Sequence, residues 1–277
     1  VLEGKKDATN KMRLYRVTND FNFNPICAGG RFGQEISGES CVDLSDKSLR
    51  RAINAICNAK AIKVGGNTTN NEAKFLQKIK EHFGVKLINS ELENYFKILE
   101  ILGDSPFATL ESISTQKPII SVGGNPKYEN PLLRYKINNA LKMQKDCAFV
   151  FADAVGDNLM ANLSKKFLEI IHAPSGESAV ILAICGILDS RILENLPKIE
   201  VEIETKEQIN DENGATKEVA KIEKREYYEI FEKCGLKYAQ FAELQSMITS
   251  ANVTPLLIIG SDFYSNQNAP YIANLLA

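Results

Sequence analysis

The tetrapeptide Val-Gly-Gly-Asn occurs twice, at Val64 to Asn67 and at Val122 to Asn125, each time closing a β-rich run ahead of a helical pattern. Ile259-Gly260-Ser261-Asp262 is a looser third copy in the same setting. A glycine at the carboxyl end of a parallel strand lets the backbone turn tightly into the following helix, so these turns select strand-turn-helix units. Their spacing is too uneven for a solenoid.

The segments around the turns agree. Ala61 to Val64 reads as a short strand, and Asn71 to Phe83 as a helix with Phe75, Leu76, Ile79 and Phe83 on one side and Gly84 as its stop. Ser45 and Asp46 precede a helical repeat of Leu49, Ala52, Ile53 and Ile56, and Leu92, Phe96, Leu99 and Leu102 form another inner face before Gly103. Pro118 to Val122 is β-rich, Asn130 with Pro131 opens a helix carrying Leu133, Ile137, Ala140 and Leu141, and Cys147 to Ala152 is an unbroken apolar strand ending at Asp153. Unbroken apolar strands alternating with helices require a parallel sheet covered on both faces, so the expected class is α/β, in Rossmann-like three-layer units with mostly parallel sheets. Ala179 to Leu188 is apolar around its circumference and should be a deeply buried helix. Residues 1–45 show no periodicity and read as irregular lead-in. Lys198 to Glu204 alternates like a half-buried edge strand, Gln208 to Thr216 reads as a polar turn, and the charge-dense stretch to Lys233 as a solvated helix. Thr254 to Ile259 is the last strand.

Composition narrows the function classes. Lys and Arg number 33 against 35 Asp and Glu, which gives no basic field for nucleic acid. The longest apolar stretch, interrupted by Gly186, falls far below the roughly 20 residues that cross hydrocarbon, so no direct membrane insertion is expected. The opening Val1, the polar residues after it and the uncapped apolar end Ile272 to Ala277 read as a piece of a longer chain without a signal peptide. The six cysteines contain no C-x-x-C pair, so neither a zinc site nor a redox dithiol is legible, and reducing surroundings are expected.

Helix amides behind the glycine turns can take a phosphate, with Asp153 on a neighbouring strand end placed to accept from a ribose or a base. A doubly wound sheet needs the same turns without any ligand, and neither G-x-G-x-x-G nor G-x-x-x-x-G-K-[ST] is present. His82 and His172 have no G-x-S-x-G partner and read as structural or solvated.

Taken in order, several segments resemble the molybdopterin oxidoreductase superfamily. Cys27-Ala28-Gly29-Gly30-Arg31-Phe32-Gly33 resembles the C-x-x-G-R-F-G end of its iron-sulfur domain, and Gly66-Asn67-Thr68-Thr69-Asn70-Asn71-Glu72 is similar to its G-x-x-T-N-E-E loop. Gly123-Gly124-Asn125-Pro126 with Pro131 looks like its G-x-N-P…H-P loop, with Asn130 in place of His. His172 to Ala179 resembles its P-G-T-D-A-A helix start, and Leu256 to Ser261 a late I-x-G strand. Within the superfamily the sequence resembles the large iron-sulfur subunits of NADH-quinone oxidoreductase, respiratory complex I. Gly29, where molybdenum enzymes commonly carry Lys, and the cysteine-free Ile88 to Phe96 favour that choice.

That resemblance implies formate dehydrogenase-like middle domains: an iron-sulfur tail over 1–45, a discontinuous α/β domain from 46–105 plus 236–277, and an inserted α/β domain over 106–235. It implies a non-catalytic scaffold in an NADH-to-quinone electron-transfer arm, with no cofactor of its own and molybdopterin disfavoured. Cys27 matches one ligand of a [4Fe-4S] cluster in the parent protein. Gly66, Asn67, Gly124, Asn125, Asp153 and Gly176 match vestigial pterin-site positions. The implied partners are the other peripheral-arm subunits, at the cytoplasmic face of the inner membrane. The alternative is a portion of a true molybdopterin oxidoreductase, using the same turns and Asp153 to hold a guanine dinucleotide pterin.

Overall fold

The computed structural model describes residues 2–17, 45–65, 68–103, 107–144, 146–157, 164–210, 216–251 and 254–277. Cys27, with most of the lead-in, and the turn residues Gly66 and Asn67 lie outside the described residues. The chain divides into two compact units, 1–90 and 91–277.

The first unit opens with an antiparallel pair, β1 (Leu2–Lys6) and β2 (Met12–Val17), where an irregular lead-in was expected. The reason is local turn chemistry. The Asp7 carboxylate accepts from the Thr9 and Lys11 amides at 2.8 and 3.1 Å, and Asn10 takes a left-handed φ of 62°, which folds the chain back on itself. Helix α1 (Asp46–Cys57) follows, then the parallel strands β3 (Ala61–Lys63) and β4 (Lys86–Ile88), joined by α2 (Asn70–Phe83). Thr69 and Glu72 form a reciprocal capping box at the start of α2, and Gly84 ends it with φ 66°.

The second unit contains α3 (Ser90–Leu102), β5 (Ile119–Val122), α4 (Pro126–Glu129), α5 (Pro131–Met143), β6 (Phe149–Asp153), β7 (Phe167–Ile171) and α6 (Glu177–Leu188). After these come β8 (Lys198–Asn210), β9 (Thr216–Tyr228), α7 (Glu229–Cys234), α8 (Tyr238–Thr249), β10 (Leu256–Ile259), α9 (Ser261–Ser265) and α10 (Ala269–Leu276). Strands β10, β5, β6 and β7 form one all-parallel sheet in that order. Successive side chains alternate between its faces. Ile119, Phe149, Phe151 and Leu256 pack with Ile113, Ile137 and Leu141 on one side. Ile120, Val122, Val150, Ala152, Leu168 and Ile170 pack under Val180, Ile181 and Ile184 of α6 on the other, with Phe231, Leu244 and Phe263. This is the expected three-layer α/β arrangement, and residues 177–186 of α6 are all buried, as its uniform apolarity requires.

Strand β10, from the 236–277 segment, pairs along its length with β5, while Asn94 of α3 donates its side-chain amide to the Tyr264 carbonyl at 2.9 Å. One expectation is corrected. Residues 216–228 are not a solvated helix but the second strand of a long two-stranded ribbon with β8. The helix-forming lysines and glutamates are overruled by that pairing and by the anchor at its base. There Tyr227 is buried among Tyr228, Phe231, Tyr238 and Phe241 and donates its hydroxyl to the Leu236 carbonyl at 2.7 Å.

Candidate functional site

All four strands of the parallel sheet end at one rim, which gathers the turns after β5 (Gly123 to Asn125), β6 (Asp153 to Asp157), β7 (His172 to Gly176) and β10 (Gly260 to Asp262). β5 leads into α5, which packs on one face of the sheet, whereas β10 leads into α9 and α10, whose Phe263 and Ala273 pack on the other. The crevice between two such strands is where open α/β sheets bind ligands.

In this protein that crevice is shut. A Cβ on Gly124 would stand 2.7 Å from Gly260 Cα, and one on Gly260 would overlap the Gly123 carbonyl, so the two turns meet backbone to backbone. Above them sits the Glu129 carboxylate. It accepts from the Asn125 amide at 3.3 Å and from the Ser261 amide at 3.4 Å, tying the two turns together.

Two cavities flank the closed corner. The first, about 490 Å³, is lined by Asn125, Lys127, Tyr128, Asp153, Gly156 and Asp157 among others. Asn125 donates its side-chain amide to Asp157 at 2.8 Å, and Lys127 donates to the Tyr128 hydroxyl at 2.7 Å, with its ammonium 3.8 Å from Asp157. The Asp153 carboxylate accepts from the Val155 amide at 2.8 Å. Burial pushes its pKa above the usual carboxylate range, and the nearby charges of Asp262 and Glu177 add to that, against the Val155 hydrogen bond and His172.

The second cavity, about 260 Å³, lies by the start of α6 and is lined by Ser175, Glu177, Asp262, Ser265 and Asn266 with Ala154 and Pro174. Glu177 is buried and accepts from the Asn266 amide at 3.4 Å. His172, also buried, has Nδ1 2.9 Å from the Ala173 carbonyl and 4.0 Å from the Glu177 carboxylate. Its Nε2 has no hydrogen-bond partner. Among the described residues no group of three His, Cys, Asp or Glu side chains is placed to hold a metal ion, and no helix is long and apolar enough to cross a membrane.

Of the residues singled out in the sequence, Gly124, Asn125 and Asp153 come together at the rim. Gly176 lies at the head of α6, where a Cβ would press on the His172 ring at 3.0 Å, so its smallness serves packing. Glu129, Asp157, Glu177, Asp262 and Asn266 also meet at the rim, and sequence pattern gave none of them a role. One of them carried a signal: Glu177 is a carboxylate heading a helix whose other buried positions include no charge.

The fold and rim define an α/β protein with three layers around a parallel sheet. No protein-family model matches this sequence, and no curated protein matches it. At the level of fold, nine solved chains match, among them acetylene hydratase from Pelobacter acetylenicus. That structure superposes with a TM-score of 0.54 at 9% identity over 99% of this chain, which spans 40% of the hydratase's length.

These comparisons correct the assignment to the large iron-sulfur subunits of NADH-quinone oxidoreductase. No sequence match supports it, and the likeness found is one of fold, to a hydratase. The physical reason is the turns themselves. Any parallel strand feeding a helix calls for a glycine corner, so corners in a similar order arise without membership of that family.

Proposed function

We propose that this protein is a portion of a molybdopterin-type oxidoreductase, and that the carboxyl rim of its four-stranded sheet receives the guanosine end of a guanine dinucleotide pterin. The observation that carries the reading is Asp153, a carboxylate at the end of a central strand, opening on a 490 Å³ cavity beside Asn125 and Asp157. Guanine offers neighbouring donors in its ring N–H and amino group, and ribose offers hydroxyls; acceptor-only carboxylates complement both. The fold likeness over 99% of the chain supports the same reading.

The pyrophosphate fits less well. Glu129 holds the amide corner between β5 and β10, and Lys127 is the one cation among the described residues lining the adjoining cavity. When bound, the pterin supplies a redox-active metal centre, while this protein's residues bind and orient the nucleoside. Oxidoreductase activity would belong to a longer protein, as the 40% coverage of the hydratase suggests.

Isothermal titration of the protein with guanosine, GDP and adenosine tests the proposal. Guanosine should bind at least about tenfold more tightly than adenosine, and Asp153→Asn should remove the preference. Equal affinity for the two bases, or no binding at millimolar concentration, refutes it. The Glu129 corner favours a second reading, in which this portion keeps the architecture as scaffold and seats no pterin. Titrations silent for every guanine ligand would select it.

A further inference from the structure

The opposite end of the same sheet carries the opposite charge. Five carboxylates, Glu129, Asp153, Asp157, Glu177 and Asp262, lie along the carboxyl rim, where Lys127 stands 3.8 Å from Asp157. At the amino edge, where β5, β6 and β7 begin, Lys117 and Lys166 line a cavity of about 340 Å³ against one carboxylate, Asp146. Neither lysine ammonium has a carboxylate partner among the described residues. The Lys117 charge reaches inward: burial raises the Cys147 pKa, and Lys117 works against that rise.

The floor of this cavity is apolar. Pro118 and Ala148 are buried residues at the heads of β5 and β6, and Met247 comes from the last turns of α8. Two cations with no carboxylate partner among the described residues, over an apolar floor in an enclosure near the lower size limit of small-molecule pockets, define a ligand with an anionic head and a short apolar body. The polarity of the sheet adds direction, since a small anion meets one carboxylate, Asp146, at this edge and several at the other.

We propose that the amino-edge cavity binds a small organic anion, a carboxylate or phosphomonoester, with its charged head between Lys117 and Lys166 and its apolar body on Pro118, Ala148 and Met247. The site does not depend on the guanosine seat, which lies at the other end of the strands.

Benzoate and phenyl phosphate, titrated separately against the protein and followed by amide chemical shifts, test it and separate the two head groups. Saturable shifts at Lys117, Ala148 and Ser250 are expected for at least one of them, with benzyl alcohol giving none. Lys117→Gln and Lys166→Gln should each weaken binding about tenfold, the loss of one charge-assisted contact. Raising ionic strength from about 0.05 to about 0.5 M should weaken it further, and Asp146→Asn should tighten it. Lys166 is exposed, so its variant tests the site even if Lys117→Gln fails to fold. No saturable shift up to about 20 mM, well beyond a useful affinity for so small a ligand, overturns the proposal. So does binding that both lysine variants leave unchanged, or an equal response to benzyl alcohol.

Discussion

Replacing Gly260 by Ala puts the closed corner between β5 and β10 to a direct test. Gly260 has φ −91°, which alanine adopts freely, so the substitution carries no backbone penalty and its whole effect is steric. The new methyl would fall inside contact distance of the Gly123 carbonyl and the Gly124 Cα, both backbone, which no rotamer change can relieve. Forcing a methyl into such a contact costs about 1–3 kcal/mol. For a unit of this size that is a fall in Tm of about 2–4 °C per kcal/mol. Gly124→Ala would place its methyl in the same gap, 2.7 Å from Gly260 Cα. The double variant should therefore cost less than the sum of the two singles, because the first methyl already parts the turns. Gly65→Ala is the control, with no atom within 4 Å of the added Cβ. Urea unfolding of the four variants against the native protein measures all of this. A Gly260→Ala loss below about 0.5 kcal/mol, the range of ordinary surface changes, would mean that the turns do not touch and the crevice is open.

Glu129→Ala should free the Asn125 and Ser261 amides, speeding their hydrogen exchange at a stability cost of about 0.5–1 kcal/mol; unchanged exchange would remove the carboxylate from the corner. Asp153 sets a pH dependence. Its folded pKa lies above the ordinary value of 3.8, so the stabilisation from its proton is complete below that value and is lost as pH rises through the folded one. Asp153→Asn, which never ionises, should gain on the native protein across that window, read as a growing gap between urea midpoints; a pH-independent gap contradicts the shift. Tyr227→Phe removes the hydrogen bond to the Leu236 carbonyl at the base of the β8–β9 ribbon and should cost about 1–2 kcal/mol, with no change expected if that carbonyl finds water instead.

The elements legible in the sequence are those whose information is local. Strands β5, β6 and β10 announce themselves as apolar runs closed by glycine or aspartate, α2 and α5 by caps and apolar faces, and α6 by apolarity all round. β7 escapes because Glu169 interrupts its apolar run and its side chain turns to accept from the Asp157 amide at 3.1 Å. β9 reads as a helix because its strand character comes from β8, across the hairpin, rather than from its own composition. The rim shows the same division. Gly124, Asn125 and Asp153 sit at strand ends and can be placed from the pattern alone. Glu129 cannot, since its role depends on Ser261, which lies 132 residues further along the chain and comes near only once β10 lies beside β5.

Architecture and occupancy are therefore set by different residues. The layers require only apolar strands, buried helices such as α6 and glycine corners, conditions many sequences meet, which is how 9% identity suffices for the likeness to acetylene hydratase. What the rim accepts is set instead by side chains the layers do not need. On the proposed reading, a dinucleotide with its guanine on Asp153 would have to carry its pyrophosphate away from Glu129, along the side where Lys127 stands. The amino edge, bearing the opposite charge, is where the same sheet has room for an anion.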